Sequence, residues 1–200
     1  KKTNSAKVDT SGRPGTRIEV SISKQKVTIY ENGSVAMRMR AIVGSPSRPT
    51  PVMRDKISSI KFAPEWNPPK TILQRDIYPE LERNPRFLYR GWTVYKGGKK
   101  INPRDVDWKT ADLSNYRFVQ DSGGINALGS IRFTMHNRES IFIHDTPFKA
   151  SFGKEDRYAS SGCIRVEQAG RMAAWMLRQD GQPKSTKEIN ALKKGPTKII

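Results

Sequence analysis

Cysteine and histidine are nearly missing from this sequence, which has one Cys and two His in 200 residues. One thiol excludes an intrachain disulfide. With so few soft ligands, and no C-x-x-C or H-E-x-x-H spacing, neither a metal nor a cofactor is expected. His136, in FTMHNRE, reads as a strand-end turn residue. Negative charge is also scarce: Lys and Arg outnumber Asp and Glu by 37 to 19, for a net charge of +18. Such a balance favours polyanionic or carboxylate-bearing partners. The bases are scattered rather than gathered into a run, which argues against a nucleic-acid arm. No stretch approaches the ~20 apolar residues needed to span a bilayer, and the opening KKTNSAKVDTSG lacks the apolar middle of a signal peptide. As given, the chain reads as soluble, with no membrane span.

What is present describes a loop-rich globular protein: 35% hydrophobic and 28% charged residues, with 15 Gly and 13 Pro. The length suits one domain carrying an inserted subdomain rather than two full domains. Residues 1–16 are polar and aperiodic and read as a flexible lead-in. From Arg17 the chain alternates as strands do, in RIEVSI, KVTIY and SVAMRMRAIV, with Asn32-Gly33 marking a hairpin between the last two. Between Pro46 and Pro103 prolines recur every few residues and break any long helix or central strand. The part from 64 to 118 reads as an insertion whose aromatics, Trp66, Trp92 and Trp108 among them, form either a small core or a covering lid.

Strand character returns at RFVQ and continues, after the Gly-rich DSGGINALG, in SIRFTM and SIFIHD. Apolar residues at Ala169, Met172, Ala173, Met176 and Leu177 predict one amphipathic helix ending near Asp180-Gly181. Residues 181–200 read as a C-terminal tail.

A lone Cys is commonly a small buried hydrophobe, but Cys163 follows Ser160-Ser161-Gly162. A glycine there permits a tight turn with backbone N–H groups converging on one spot, as a tetrahedral oxyanion requires. His144 ends the apolar run SIFI nineteen residues earlier, where a strand can deliver an imidazole to a sheet edge. A thiol near its free pKa of ~8.5 is mostly protonated at neutral pH and gains from such a base. Penicillin-binding chemistry is excluded: S-x-x-K occurs at Ser21 and Ser151, but S-D-N and K-T-G do not occur. A papain-like enzyme would place Cys before His.

At these residues the chain resembles the L,D-transpeptidases of the YkuD type, especially their long-insert, YcbB-like class. That pattern is a strand ending in His, then a loop, then Ser/Thr-His-Gly-Cys followed by an apolar residue and Arg or Asn. IFIHDTP and SSGCIRV occupy these places, and IVGSPSRPTP, EWNPP and INALGSIRF match upstream segments, so the likeness covers Ile18 to Leu177. Ser161 stands where the commonest version has His, which leaves His144 as the imidazole base.

The resemblance implies a mainly β, β-rich α+β catalytic domain at 17–63 and 119–180, with a capping subdomain at 64–118. It implies acyl transfer between peptidoglycan stem peptides, donor and acceptor, in the periplasm or another extracytoplasmic wall compartment, by an expected monomer. Cys163 would be the nucleophile and His144 the general base and acid. The Gly162 backbone would hold the oxyanion, Ser160 and Ser161 would shape that hole, and Asp145 would orient His144, more through its carbonyl than its carboxylate. Arg165 is a candidate to fix the loop or a substrate carboxylate, and Asn126, Gly129 and Arg132 are weaker substrate candidates. The rivals are an L,D-carboxypeptidase or endopeptidase of the same fold, and a non-catalytic basic module binding wall polymer or nucleic acid.

Overall fold

The structure, a computed structural model, describes residues 5–8 and 15–200. Residues 1–4 and 9–14 of the expected lead-in lie outside the described residues, whereas Ser5–Val8 is a strand.

Among the described residues, fourteen strands follow in chain order: β1 (Ser5–Val8), β2 (Arg17–Ser21), β3 (Lys26–Glu31), β4 (Ser34–Gly44), β5 (Arg54–Asp55), β6 (Ile57–Phe62), β7 (Trp92–Lys96), β8 (Lys99–Ile101), β9 (Tyr116–Gln120), β10 (Ile131–Met135), β11 (Ile143–His144), β12 (Tyr158–Ser160), β13 (Ile164–Val166) and β14 (Lys198–Ile199). The protein is therefore mostly β, with a few helices. The period-two alternation of the opening segment becomes the antiparallel meander β2-β3-β4, with Ile18, Val20, Val27 and Ile29 fully buried on one face. Asn32 and Gly33 turn the β3-β4 hairpin with φ of 50° and 82°. Both values are left-handed, as a two-residue turn matched to strand twist requires.

The main sheet runs in the order β14-β6-β10-β11-β13-β4-β3-β2-β1-β5, with β12 beside β4. Its middle positions the site: β11 lies antiparallel to β10 and parallel to β13, and β13 lies antiparallel to β4. The helix Ala169–Gln179 follows β13 and packs Met172, Ala173, Trp175 and Leu177 into the core. Trp175 rather than the half-exposed Met176 completes the buried stripe.

The tail expectation for 181–200 needs correction. Ser185 and Glu188 form a reciprocal capping box that starts the helix Thr186–Lys194, whose Ile189 is buried in the main core. β14 then pairs with β6, and Ile200 exchanges backbone hydrogen bonds with Ile60 at 2.7 and 2.9 Å.

A second, smaller sheet, β8-β7-β9, carries its own apolar cluster of Leu81, Leu88, Val94, Trp108 and Phe118. A helical run at 70–83 contributes Leu81 to it. RFVQ was expected to restart the main sheet, but β9 pairs with β7 instead, with Thr93 opposite Val119 and Val94 opposite Phe118. The return to the main sheet comes only at β10, after the loop that holds Asn126.

Candidate active site

His144 ends β11 and sits opposite Arg165 of β13, while Ile143 sits opposite Ile164. In paired strands, partners share a face and successive residues alternate. His144 and Arg165 therefore project to one side together with Phe142 and Cys163. The Phe142 N–H points at the Cys163 Sγ at 3.4 Å, and the Ser140 carbonyl lies 3.8 Å from the same sulfur. Cys163 is a free thiol and only half-buried. Cys163 and His144 line one cleft of about 860 Å³ together with Arg132, Arg165, Trp66 and Ile72.

His144 is almost wholly enclosed, and its Nδ1 lies 2.5 Å from the Asp145 carbonyl oxygen. A carbonyl can only accept, so Nδ1 carries the proton and Nε2 keeps its lone pair. Burial first, then the Arg165 charge, push the imidazole pKa down from 6.5 to about 4. At Cys163, burial raises the thiol pKa above its ordinary value against the opposing pull of the Phe142 N–H and the charges of Arg165 and Arg132. The resting thiol and the resting imidazole are both neutral; they line the same cleft, and the hydrogen-bond partners of the sulfur are Phe142 and Ser140.

The Asp145 carboxylate is engaged elsewhere. It accepts the Ser130 N–H at 3.0 Å and the Ser130 hydroxyl at 2.7 Å, and forms an ion pair with Lys149. Its side chain follows His144 by one residue and so points to the other face of the strand.

The Cys loop is clamped from both ends. Thr50 is buried; its Oγ1 accepts the Gly44 N–H at 2.8 Å and donates to the Gly162 carbonyl at 2.7 Å. The buried Ser160 Oγ donates to the Cys163 carbonyl at 2.5 Å and accepts the Gly162 N–H at 3.2 Å. The Gly162 N–H, expected to face an oxyanion, is thus already committed to Ser160. Gly162 has φ of +106°, and a Cβ there would come within 3.0 Å of Ile141 Cδ1, so glycine is required. Ser161 is exposed, and its Oγ accepts from Arg48 at 2.9 Å. The same guanidinium grips the Asp76 carboxylate at 2.7 and 2.9 Å, joining the Cys loop to the helical run at 70–83.

Two expected substrate residues are placed differently. Asn126 is fully buried and spends its amide on the carbonyls of Pro64, Gln120 and Asp121 and on the Leu128 N–H, which makes it a staple of its loop. Gly129 packs against the backbone of Asp145 and Thr146, where a Cβ would lie 2.5 Å from the Thr146 nitrogen. Neither lines the cleft. Arg132 and Arg165 do, and the Nε atom of each is buried without a hydrogen-bond partner. Arg48, Thr50 and Asp76 were not singled out from the sequence, although IVGSPSRPTP contains the first two. Among the described residues, no group of three or more His, Cys, Asp and Glu side chains could hold a metal ion, and no helix is long and apolar enough to cross a membrane.

Comparison with known proteins gives a consistent set of matches. The model of the YkuD family, described as L,D-transpeptidase catalytic domain, matches residues 15–199. A curated Haemophilus influenzae protein named "Putative L,D-transpeptidase" is 32% identical over 172 residues, which is 85% of this chain. The chain spans only 35% of that protein's length. Among solved structures, the catalytic domain of the E. faecium L,D-transpeptidase acylated by ertapenem aligns at 16% identity over 80% of this chain and 86% of its own, with a TM-score of 0.37. Mycobacterium tuberculosis L,D-transpeptidase 1 aligns at 18% identity over 88% of this chain and 56% of its own, with a TM-score of 0.30.

Proposed function

The chain belongs to the YkuD family of L,D-transpeptidase catalytic domains, and from that premise we propose that it forms peptidoglycan crosslinks by thiol acyl transfer. The observation that carries this reading is the placement of Cys163 and His144 on one face of neighbouring strands, lining one cleft, with Nδ1 anchored on the Asp145 carbonyl.

The Cys163 sulfur attacks the carbonyl of the L-configured centre in a donor stem peptide while His144 Nε2 accepts the thiol proton. The proton passes to the departing amine as the C–N bond breaks, D-alanine leaves, and a thioester remains. An amine of the acceptor stem attacks next, giving up its proton to His144 as the thioester opens and the thiol re-forms. A buried, neutral imidazole suits a base that must begin each cycle unprotonated. Because the Gly162 N–H is held by Ser160, the Ser161 and Cys163 N–H groups are the remaining oxyanion donors of the loop. The net charge of +18 suits stems that carry several carboxylates.

The unit around β7-β8-β9 acts as the cap over the donor, as in the long-insert class, and Arg48 is its tether to the Cys loop. The site of action is the wall-facing side of the membrane, periplasmic or otherwise extracytoplasmic.

Incubating the enzyme with purified donor and acceptor stems and identifying the products by mass tests the reading. Crosslinked dimers, of 3-3 or 1-3 type, that vanish with Cys163→Ala are expected. Trimmed monomers alone would assign water as the acceptor and a carboxypeptidase activity; unchanged substrate with a folded protein would leave a binding module.

A further inference from the structure

The peptide unit between Gly162 and Cys163 is held by a side chain from a distant loop. Thr50, buried where the segment after β4 turns back, donates its hydroxyl proton to the Gly162 carbonyl at 2.7 Å and accepts the Gly44 N–H at 2.8 Å. That segment folds tightly on itself: the Arg48 N–H donates to the Ser45 carbonyl at 2.9 Å, and a Cβ on Gly44 would collide with the Arg48 carbonyl and the Thr50 nitrogen. The Ser45 N–H in turn donates to the Ser160 carbonyl at 2.9 Å, and Ser160 lies opposite Gly44 where β12 pairs with β4. Thr50 is thereby fixed to the end of β4 and to the start of the Cys loop.

A trans peptide unit is planar, with its C=O and N–H antiparallel, and among the described residues no peptide bond is cis. Holding the Gly162 carbonyl on Thr50 therefore aims the Cys163 N–H the opposite way. Thr50 does not line the cleft, whereas Ser161 and Cys163 do, so the N–H is turned from the buried side of the loop towards the cleft. The neighbouring N–H groups are spent, that of Gly162 on Ser160 and that of Ile164 on the Phe142 carbonyl at 2.9 Å. Among the described residues, no acceptor takes the Cys163 N–H.

We propose that Thr50 is a positioning residue for acyl transfer, whose hydroxyl sets this peptide unit so that the Cys163 N–H receives the oxyanion. This rests on the acyl-transfer reading above. As the Cys163 sulfur bonds to the donor carbonyl carbon, the thiol proton passes to His144 and the C=O π pair moves onto oxygen. The oxyanion stays on the N–H until the C=O re-forms, the C–N bond breaks and the amine leaves with the proton from His144. A donor aimed before the charge develops needs no reorganisation when it does. Without the Thr50 hydroxyl the Gly162 carbonyl has no donor to hold it, and the peptide unit can turn its N–H out of the cleft. Thr50 touches neither the thiol nor the imidazole, so its effect is confined to steps that make an oxyanion.

The test compares two reactions of one thiol in wild type, Thr50→Val and Thr50→Ser, both followed by intact mass: acylation by a stem tetrapeptide, and alkylation by iodoacetamide. Acylation passes through an oxyanion; alkylation displaces iodide at a saturated carbon and does not. Thr50→Val is expected to lose about 100-fold in acylation, in kcat more than in KM, the scale of one oxyanion donor, and to alkylate at the wild-type rate. Thr50→Ser, which keeps the hydroxyl, is expected to recover most of the acylation. A merely structural role would slow both reactions together. Equal losses in the two reactions, wild-type acylation in Thr50→Val, or Thr50→Ser as slow as Thr50→Val would each overturn the inference. Should Thr50→Val not fold, Thr50→Ala is read by the same pair of rates. A wild type that is alkylated but never acylated overturns the acyl-transfer reading instead, and this inference falls with it.

Discussion

The Nδ1 of His144 lies 2.5 Å from the carbonyl oxygen of Asp145, the residue next to it in the chain. The orientation of the base is thus written into the backbone of β11, and the Asp145 carboxylate is left to brace Ser130 and Lys149. Asp145→Asn should retain turnover within a few-fold of wild type, whereas His144→Ala should lose about 100-fold or more. The same Asp145→Asn change should lower stability at neutral pH. Burial pushes the Asp145 pKa up, but Lys149 and Ser130 outweigh it, so the folded pKa lies below the ordinary value. A depressed acid contributes stability above its unfolded pKa and loses it as pH falls through the folded one. The difference in thermal midpoint between Asp145→Asn and wild type should therefore shrink in acid below about pH 4.

The His144 pKa of about 4 predicts the acid limb of the pH profile. The base works unprotonated, so kcat/KM should hold from neutrality down to about pH 5 and fall only near pH 4. A limb near the ordinary 6.5 would mean that the ring is more solvated than its enclosure implies. Removing the flanking charge in Arg165→Gln should move the limb upward.

The same shift bears on stability. Between pH 4 and 6.5 the unfolded chain binds a proton at this His that the native state refuses, so stability rises with pH across that window. The contribution lost on acidifying from 6.5 to 4 is about 3 kcal/mol, and His144→Asn should lack that part of the pH dependence in denaturant titrations.

Arg48 joins Asp76 of the helical run to Ser161 of the Cys loop. The pair is partly exposed, so Arg48→Ala should cost about 1 kcal/mol or less of stability. Turnover with stem donors should nevertheless fall of order tenfold, because the helical run and the Cys loop lose their register, with a larger share of thioester lost to water. Wild-type turnover in Arg48→Ala would make the tether a surface ion pair and nothing more.

Gly162 holds a left-handed φ of +106° against Ile141. Gly162→Ala should cost about 1 to 3 kcal/mol in strain and slow acylation more than Gly153→Ala, whose Cβ would meet open space.

Much of this was legible locally. Period-two alternation and Asn32-Gly33 marked the meander, the spacing from Ala169 to Leu177 marked the helix, and the short motifs around His144 and Cys163 marked the candidate site. Strand pattern alone could not say which sheet a strand joins, and β9 went to the small one because it pairs with β7. The helix Thr186–Lys194 is short and buries little beyond Ile189, yet Ser185-Thr-Lys-Glu188 was a readable capping box. Asn126 was expected to meet substrate, but its amide is consumed by four backbone groups, a fact of tertiary structure. The Thr50 and Arg48 clamps span more than a hundred residues of sequence and leave no local signature.

The central claim is that Cys163 carries the acyl group. Intact-mass spectrometry of the protein during turnover of a stem donor, quenched in acid to preserve a thioester, tests it most directly. A mass increase equal to the donor less D-alanine, present in wild type and absent from Cys163→Ala, is the predicted result. An adduct that survives in Cys163→Ala, or products formed with no adduct ever detectable on the wild type, would contradict it.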